Sequence, residues 1–531
     1  MACCCAVLLD TVSIQQYVFG SNRLRDNRGS SALVKRIYAE LLEKSLSLKE
    51  MGYKPEVLPA WKNDYHEVLM NTDSPPPFEV GFIGGGKALL FFAAQDAAIS
   101  FVQTWTKLLL VEAPGLRTAV AIKPDFNLDD EQFTRELDCL FRQLAINKNS
   151  YFPNTTLPTH GITAECPRTG LTIDGRIEGL PDDEKNEVSS VALARYYASI
   201  EEMKEYGELC ERNAGNKFIL PTELEHLGQK PDTDSHIAII HADGNDMGKR
   251  FTNCKTLVEY RKLAIDVEQA TYDAFGDLIG HVARNVVPYM DSDESVFELT
   301  RIDGKICLPL RPIIIGGDDV TFIAEGRLGI HLAEKFLEFF YKRTRSFGEG
   351  INACAGVAII KTKYPFYRGY ELAEQLCSSA KQQARLHGDS SWLDFQLIYG
   401  GISGSLDSIR KQQVHLAGIE LFWGPYLVIG NHSHNDRSFQ KFKSALVRLH
   451  NEEAWPPSKI KELRTAFYEG QEMLEQKVGE LRARGITLPN FGTTMGLAER
   501  GSADSATPYH DLIEALEYYP PFLLMDGGDT H

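Results

Sequence analysis

The segment "IIIGGDDVTFIAE" (residues 313–325) places two adjacent acids inside an apolar run that otherwise has the composition of a β-strand. Burying a carboxylate costs several kcal/mol unless a cation or another partner compensates for it. Gly316 and Gly317 interrupt the run, and glycine readily adopts the positive φ angles that a tight turn requires. The segment therefore predicts a β-hairpin that presents Asp318 and Asp319. Two solvated acids in an ordinary turn are the simpler interpretation, and a cation site is the functional one.

The chain repeats this pattern. The segments "CCCAVLLD" (3–10) and "HIAIIHAD" (236–243) are apolar strands that both end in Asp. Each is followed, after nearly the same number of residues, by a glycine-interrupted pair of strands, with "GGGK" (84–87) in the first half and "GGDD" (316–319) in the second. Both halves have the order strand, helix, strand, strand, helix, strand, which predicts an internal duplication.

This order predicts an α+β protein with two ferredoxin-like (βαββαβ) domains plus a helical C-terminal domain. We place the first ferredoxin-like domain at 1–150 and the second at 236–405. Residues 151–235 are interpreted as an irregular connector followed by a helical stretch over 188–212. Apolar residues three and four apart predict that 406–531 is mainly helical.

Composition narrows the class of protein. The 531 residues carry a formal net charge of −17, which argues against extensive non-specific binding to nucleic acid. The sequence has no long uncharged apolar run and no signal-peptide pattern, so we expect a cytoplasmic protein that does not associate with membranes. The ten cysteines contain no Cys-x-x-Cys pair, so we expect no structural zinc and interpret most of them as small buried residues.

Three carboxylates are predicted to meet at one point. In the predicted topology the strand that ends at Asp243 lies beside the hairpin that carries Asp318 and Asp319. Clustered hard oxygen ligands suit Mg²⁺ or Mn²⁺ together with the phosphates of a nucleotide. Asp243, Asp318 and Asp319 are therefore the predicted metal ligands and catalytic residues.

Neighbouring residues predict a nucleotide-binding site. Lys381 and Arg385 lie four residues apart in a predicted helix and share one face, where they are suited to hold a triphosphate. The stretch "DGNDMGK" (243–249) opens another predicted helix, whose free backbone N–H groups favour an anion. This assigns Gly244 and Asn245 to the nucleotide site.

Four further residues complete the predicted nucleotide site. Gly316 and Gly317 lack side chains and let a ligand approach the backbone. Arg25 and Arg28 follow the first predicted strand of the chain. Either they contact the nucleotide or they belong to a solvated helix face.

The second half resembles a known family. The strand end Asp243-Gly-Asn, the hairpin Gly316-Gly-Asp-Asp and the segments "CAGVAI" (354–359) and "AEQLCSSAK" (373–381) resemble the palm domains of GGDEF cyclases. More closely, they resemble the large polymerase-cyclase subunit of type III CRISPR effector complexes.

The first half resembles the same subunit. The stretch "IQQYVFGSNRLRDNRGSSAL" (14–33) resembles its first palm, and "CPRTG" (166–170) resembles a remnant of the zinc module that lies between its palms. The resemblance covers about residues 1–400 and has the twin-palm order, which is more specific than a Gly-Gly-Asp-Asp motif alone.

The resemblance implies a two-metal nucleotidyl transfer that joins ATP into a cyclic oligoadenylate, a second messenger in antiviral defence. Asp243 and Asp318 would ligate two Mg²⁺ or Mn²⁺ ions and Asp319 would be a third ligand. One ion would activate a ribose 3′-hydroxyl and the other would neutralise the leaving pyrophosphate.

The resemblance also implies partners. These are nucleoside triphosphates and, if the chain belongs to an RNA-guided complex, guide or target RNA and other CRISPR effector subunits. No HD nuclease motif precedes the first palm, so DNase activity is not expected and a standalone form is the alternative to membership of a complex. The sequence does not decide the oligomeric state, and a homo-oligomer is one of the alternatives.

The first palm is predicted to be catalytically inactive. Its hairpin reads Gly85-Gly86-Lys87, with a cation where the second palm has acids. "GFIGGGKA" (81–88) is not a P-loop, because Ala88 has no hydroxyl for Mg²⁺ and the following residues continue a strand. Two alternatives to the cyclase remain: a non-catalytic palm scaffold subunit of an RNA-guided complex, and a GGDEF-like synthase of a cyclic dinucleotide.

Overall fold

The computed structural model describes ten stretches of the chain, namely residues 3–47, 61–150, 159–178, 186–230, 235–292, 297–348, 350–398, 404–432, 435–491 and 496–524. These residues form two compact units. The first comprises the described residues of Met1–Glu208, Asp246–Thr271 and Ile313–Asp318. The second comprises those of Leu209–Asn245, Tyr272–Pro312 and Asp319–His531.

The first unit contains a four-stranded antiparallel sheet. Its strands are β1 (Cys3–Val12), β2 (Phe78–Gly84), β3 (Lys87–Phe92) and β4 (Arg117–Asn127). They lie in the order β2-β3-β1-β4, with β1 between β3 and β4. This is the ferredoxin-like order predicted from the sequence.

Helices and one small ribbon complete this part of the chain. The helices are α1 (Ile14–Phe19), α2 (Leu24–Ile37), α3 (Glu40–Leu46), α4 (Gln95–Glu112), α5 (Asp130–Lys148) and α6 (Ser190–Ala214). The ribbon pairs β5 (Gly175–Arg176) with β6 (Glu187–Val188). Helix α6 is the helical stretch predicted over 188–212.

A six-stranded sheet forms the second palm. Its strands are β8 (His236–Gly244), β11 (Leu310–Gly316), β12 (Asp319–Glu325), β13 (Ala353–Lys361), β14 (Ser391–Leu397) and β15 (Tyr426–Ile429). Three short strands, β7 (Phe218–Ile219), β9 (Arg301–Ile302) and β10 (Lys305–Cys307), form a separate small sheet. The large sheet has the order β11-β12-β8-β13-β14-β15, and its first four strands repeat the ferredoxin-like order of the first unit.

Strands β14 and β15 extend the sheet beyond the predicted fold. β14 runs parallel to β13, and β15 pairs antiparallel with β14. Every residue of β14 is buried, so the strand shows none of the polar and apolar alternation by which a half-exposed strand is recognised. β15 lies in the part of the chain that was predicted to be helical.

Most of the other secondary-structure elements in the described residues are helices. They are α7 (Met247–Asn253), α8 (Leu257–His281), α9 (Val287–Met290), α10 (Gly329–Arg345), α11 (Phe366–His387), α12 (Leu406–Ala417), α13 (Phe439–His450), α14 (Pro457–Phe467), α15 (Gln471–Ala483), α16 (Leu497–Arg500) and α17 (Tyr509–Tyr518). The predicted fold class, two ferredoxin-like palms with a helical C-terminal part, is confirmed. Among the described helices, none has the length and apolar character needed to cross a membrane.

Small residues bring α11 against β13. A Cβ atom at Gly356 would lie only 2.1 Å from the carbonyl oxygen of Ala373, so no side chain fits between strand and helix there. Beside it, the thiol of Cys377 donates to the carbonyl of Cys354 at 3.3 Å, and both cysteines are buried with Trp392 in one apolar cluster. This close packing sets the position of every side chain that α11 directs toward the end of β8.

A buried acid ties the C-terminal helix α17 to the chain before β15. Asp511 accepts hydrogen bonds from the backbone N–H groups of Trp423 (2.8 Å) and Gly424 (3.2 Å) and from the hydroxyl of Tyr426 (2.7 Å). Burial raises the pKa of Asp511 to about 6 in spite of these bonds. Asp511 thus stabilises the second unit rather than serving only as a first-turn helix residue.

Glu514, one turn later, is buried without such bonds. Its Oε1 accepts no hydrogen bond from the part of the chain that the structure describes. Burial, and after it the charge of Asp511, raises the pKa of Glu514 to about 8. The folded protein therefore holds Glu514 protonated at neutral pH.

This protonation predicts a pH dependence of stability. Glu514 keeps its proton up to about pH 8 when folded but loses it near pH 4.5 when unfolded, so its contribution to stability is present below that range and is lost as pH rises through it. We expect the melting temperature of the wild type to fall between about pH 5.5 and pH 8. Glu514→Gln should flatten this dependence and melt several degrees higher at the upper pH, as measured by calorimetry.

Glu517 supplies the matched control, because it lies on the same helix with a side chain that is 65% exposed. Glu517→Gln should leave the pH dependence of the wild type in place. Equal slopes for the wild type and Glu514→Gln would contradict the assignment.

Candidate functional site

The glycine and acid run forms the predicted hairpin turn. β11 ends at Gly316 and β12 begins at Asp319, so Gly317 and Asp318 are the two turn residues. Gly317 has a φ of 61°, in the left-handed region that favours glycine. Asp318 belongs to the first unit and Asp319 to the second.

Asp243 and Asp319 occupy directly opposite positions on paired antiparallel strands, β8 and β12. Directly opposite residues direct their side chains to the same face of the sheet, so the two carboxylates are neighbours. Asp319 is 31% exposed, but its Oδ1 is buried and accepts no hydrogen bond within the described ranges. Burial, and after it the charge of Asp243, raises the pKa of Asp319 to about 8.

Lys381 holds the other acid. Its Nζ lies 2.5 Å from Oδ2 of Asp243 and 3.0 Å from the carbonyl oxygen of Gly244. The lysine reaches the end of β8 because Gly356 lets α11 lie close to the sheet. Lys381 and Asp243, predicted from different segments, are thus brought together, and Asp319 is brought beside Asp243.

A residue that the sequence analysis missed lies next to Asp319. The buried His241 has its Nδ1 3.1 Å from the hydroxyl of Thr321 and 3.4 Å from Oδ1 of Asp319. Burial lowers the pKa of His241, which favours the neutral imidazole. The available signal was its position two residues before Asp243, since residues i and i+2 of a strand share a face.

Gly244 and Asn245 lie directly before the N-cap of helix α7, and Asn245 is bonded to two other segments of the second unit. The backbone N–H of Asn245 donates to the carbonyl of Asn352 at 2.8 Å, and its side-chain amide donates to the carbonyl of Ser390 at 3.0 Å. The helix that follows, α7, has only seven residues. The backbone N–H of Asn245 is therefore not a free donor for an anion, and the predicted anion site at the start of this helix stays a prediction.

The predicted arginines have different surroundings. Arg385 is exposed on α11, four residues after Lys381. Arg25 is partly exposed, and its guanidinium lies 5.7 Å from the centre of the Tyr196 ring. Neither position brings a cation to Asp243 by an observed contact.

Arg28 is a correction to the predicted site. Its side chain is 1% exposed, and its guanidinium donates to Oε2 of Glu202 at 2.9 and 3.0 Å and to the carbonyl of Ser199 at 3.0 Å. A guanidinium enclosed in this way connects α2 to α6. Arg28 therefore belongs to the core of the first unit and not to a nucleotide site.

The donor set in the second unit fits a divalent cation. Within the described ranges no group of three or more His, Cys, Asp or Glu residues is arranged to hold a metal ion. The pair of Asp243 and Asp319 nevertheless supplies hard oxygen ligands, and the buried Oδ1 of Asp319 is a carboxylate oxygen that no hydrogen bond satisfies. A cation beside this pair would compensate for the charge of Asp243, which after burial is the next cause of the raised pKa of Asp319.

The first palm differs at the corresponding position. Asp10 on β1 is directly opposite Lys87 on β3, in the register that places Asp243 opposite Asp319 in the second palm. The buried Asp10 forms an ion pair with Lys148 of α5. A cationic side chain therefore stands where the second palm has an acid.

Fold and site together define a protein with two ferredoxin-like palm domains. Residues 236–387 match the family model of Cas10/Cmr2, second palm domain, so the chain carries a second palm of this kind. The matched segment runs from β8 to α11 and includes Asp243, Asp318, Asp319 and Lys381. The resemblance stated from the sequence is confirmed.

Two solved structures share the fold. A Csm1-Csm4 cassette in complex with one ATP aligns with a TM-score of 0.51 and 13% identity, over 98% of this chain and 70% of that chain. A Csm1-Csm4 cassette in complex with pppApApA aligns with a TM-score of 0.50 and 13% identity, over 99% of this chain and 69% of that chain. At this identity the likeness extends to the fold alone. No curated protein matches the chain by sequence.

The position of Arg28 predicts an effect on stability. Removing one partner of a buried ion pair costs about 3–5 kcal/mol, because the remaining charge is left buried. Arg28→Ala should lower the free energy of unfolding, measured by denaturant titration, by about that amount. Lys44→Ala is the control, since Lys44 and Glu112 form an exposed pair 2.8 Å apart, and such pairs contribute about 0–1 kcal/mol.

The same variant separates the two interpretations of Arg28. An Arg28→Ala protein with unchanged stability but weakened nucleotide binding would restore Arg28 to the nucleotide site.

Proposed function

We propose that this protein is a Mg²⁺- or Mn²⁺-dependent nucleotidyltransferase that joins ATP into a cyclic oligoadenylate-type messenger for antiviral defence. The observation that carries the proposal is the pair of adjacent carboxylates Asp243 and Asp319 in a palm that matches the Cas10/Cmr2 family. One buried oxygen of Asp319 has no hydrogen-bond partner in the part of the chain that the structure describes. The match to a second palm and the confirmed twin-palm fold favour this reaction over the others that a ferredoxin-like fold supports.

Each site residue has a proposed role. Asp243, Asp318 and Asp319 hold the divalent ions, which when bound supply Lewis-acid activation of a ribose 3′-hydroxyl and neutralise the pyrophosphate that leaves. His241 helps to position the carboxylate of Asp319, because its Nδ1 lies close both to that carboxylate and to the hydroxyl of Thr321. Gly316 and Gly317 leave the backbone open to the nucleotide.

Lys381 has two partners in the proposed cycle. Without nucleotide its ammonium compensates for the charge of Asp243. When a triphosphate binds, the lysine is positioned to pair with phosphate oxygens, and the carboxylate of Asp243 would then be available to hold a divalent ion. Arg385, on the same helix and exposed, extends the positive surface for phosphates.

The first palm is proposed to be catalytically inactive. Lys87 stands in the position of Asp319, and Lys148 already pairs with Asp10, so this palm lacks the carboxylate pair that attracts a divalent ion. The proposed domains are a degenerate first palm at 1–150, a connector with a zinc-module remnant at 151–235, a catalytic palm at 236–405 and a helical domain at 406–531.

ATP is the proposed substrate. It is supported by structures of similar fold, Csm1-Csm4 cassettes in complex with one ATP and with pppApApA. Their composition also supports assembly of this chain with further effector subunits. The assays below test the role of guide or target RNA and the alternative of a GGDEF-like cyclic dinucleotide product, whereas a homo-oligomer stays a prediction.

A second candidate is a palm scaffold without catalysis. The 2.5 Å ion pair of Lys381 and Asp243 compensates for one of the acids without any metal, which favours this alternative. In a scaffold, Asp318→Ala would leave assembly and biological activity intact, whereas in the enzyme it would abolish product formation.

Matched substitutions in the two palms test the proposal. Purified protein is incubated with each labelled nucleoside triphosphate and Mg²⁺ or Mn²⁺, with and without candidate RNA, and the products are separated by chromatography. We expect a cyclic oligoadenylate from ATP, and a loss of more than about 100-fold in rate for Asp243→Asn, because a metal ligand supplies several kcal/mol of transition-state stabilisation.

Asp10→Asn is the control, because Asp10 has the equivalent strand position in the first palm. It should retain most of the activity. Equal losses for both variants, or no product from any triphosphate under any of these conditions, would count against the enzyme.

Metal binding provides an independent measurement. After removal of metal with EDTA, addition of Mn²⁺ should raise the melting temperature of the wild type by a few degrees, because a ligand that binds only the folded state stabilises it. Asp319→Asn should lose this shift, whereas Asp10→Asn should keep it. A shift that persists in Asp319→Asn would place the ion elsewhere.

A further inference from the structure

Strand β2 of the first unit contains a β-bulge. Val80 is opposite Leu90 and Phe82 is opposite Leu89, so Gly81 has no counterpart on β3. A bulge interrupts the ladder of hydrogen bonds and leaves backbone groups to be satisfied from elsewhere. Because Gly81 packs against Leu89, where a Cβ would come within 2.8 Å of the leucine side chain, the bulge is also closed to larger residues.

Arg261 of α8 donates hydrogen bonds to backbone carbonyl groups at the bulge. This arginine is 1% exposed, and its Nε donates to the carbonyl of Gly81 at 3.0 Å. One Nη donates to the carbonyl of Glu67 at 2.8 Å, and the other donates to Oε1 of Glu79 at 2.9 Å and to the carbonyl of Val80. A buried guanidinium with this many acceptors in fixed positions anchors its helix firmly.

Aromatic packing supports the same anchor. The ring of Tyr260, next to Arg261, lies 4.9 Å from the ring of Phe82 and 4.7 Å from that of Phe251. Contacts of this kind between aromatic rings add to the area that they bury. The N-terminal part of α8 is therefore fixed to β2 by both polar and apolar contacts.

The middle of α8 reaches the turn that carries Asp318. Thr271 lies ten residues after Arg261, about 15 Å along the helix axis. Its hydroxyl is fully buried and lies 2.5 Å from the carbonyl oxygen of Gly317, closer than the 2.8 Å to the carbonyl of Val267 in its own helix. Since a hydroxyl has a single proton, the shorter contact indicates that it is donated to Gly317.

This bond acts on the orientation of Asp318. The carbonyl oxygen of Gly317 and the N and Cα atoms of Asp318 belong to one planar peptide group. Fixing that oxygen therefore fixes the plane from which the side chain of Asp318 projects. Gly85 lies nearby, with its Cα 3.8 Å from the point where a Cβ of Gly317 would be.

We propose that Thr271 is a positioning residue for Asp318, and that Arg261 anchors the helix that carries Thr271. The inference rests on the proposed function for the role of Asp318, but the positioning itself is a property of the folded chain. In this arrangement the first palm, although it lacks the carboxylate pair, contributes to the reaction by holding α8 at its β-bulge.

Thr271→Val and Thr271→Ser test the bond. Valine keeps the shape and burial of threonine but has no donor, whereas serine keeps the donor. Hydrogen–deuterium exchange is measured at the peptide that covers residues 313–320. We expect exchange there to be about tenfold faster in Thr271→Val than in the wild type and restored in Thr271→Ser, with similar melting temperatures.

Kinetics give the second measurement. If Asp318 is displaced, Thr271→Val should lower kcat about tenfold and raise the Mn²⁺ concentration for half-maximal rate, with little change in KM for ATP. Thr271→Ser should return both values toward the wild type. A merely structural role would lower the amount of active protein and leave the metal requirement of the remaining activity unchanged.

Arg261→Lys tests the anchor, because lysine keeps the charge but not the fork of donors. We expect faster exchange both around the bulge, residues 78–84, and around the turn, residues 313–320. Lys262→Ala is the control, since Lys262 is a neighbour on α8 that is 49% exposed and pairs with Asp266. It should change neither segment.

The outcomes separate the inference from the proposed function. The positioning role would be overturned if exchange at residues 313–320 were unchanged in Thr271→Val. It would also be overturned if exchange there were as fast in Thr271→Ser as in Thr271→Val. If Thr271→Val does not fold, Thr271→Ala serves as the variant without a donor. If the wild type forms no product, the proposed function fails, and the exchange measurements still decide whether Thr271 holds the turn.

Discussion

The arrangement of the second palm depends on the interaction between two carboxylates that lie directly opposite each other on β8 and β12. Burial, and after it the charge of Asp243, raises the pKa of Asp319 to about 8, and one buried oxygen of Asp319 has no hydrogen-bond partner among the described residues. Lys381 on α11 compensates for the charge of Asp243, because its Nζ lies 2.5 Å from Oδ2 of that residue. That approach depends on Gly356, where no Cβ fits between β13 and α11. A site that compensates for only one of its two acids remains suited to a divalent cation.

The internal duplication shows how the same fold accommodates a different charge. In the first palm the residue opposite the strand-end acid is Lys87, and Asp10 pairs with Lys148. Here the acid is fully compensated by the protein's own cations, and the glycine turn no longer carries acids. The two palms thus share a topology and a register but differ in whether a carboxylate is left for an external partner, which is the physical basis for proposing one catalytic and one supporting palm.

Two buried arginines connect secondary-structure elements in the first unit. Arg28 joins α2 to α6 through Glu202, and Arg261 joins α8 to the bulge of β2 through Glu79 and three backbone carbonyls. Both guanidinium groups satisfy acceptors that would otherwise be buried without a donor. The hydrogen bond from Thr271 to Gly317 connects the second of these anchors to the turn that carries Asp318.

The sequence by itself determined the duplicated strand order, the hairpin at Gly316–Asp319 and the strand-end position of Asp243, because strand pattern and glycine turns are local properties. The same pattern predicted Asp243 beside Asp319, since a ferredoxin-like order leaves these strands adjacent. Only the tertiary structure decided that Arg28 is enclosed by Glu202, that the backbone N–H of Asn245 is already bonded, and that His241 lies beside Asp319. Burial and hydrogen-bond partners depend on segments far apart in the chain, and β14 was missed for the same reason, since packing on both faces removes the alternation that marks a strand.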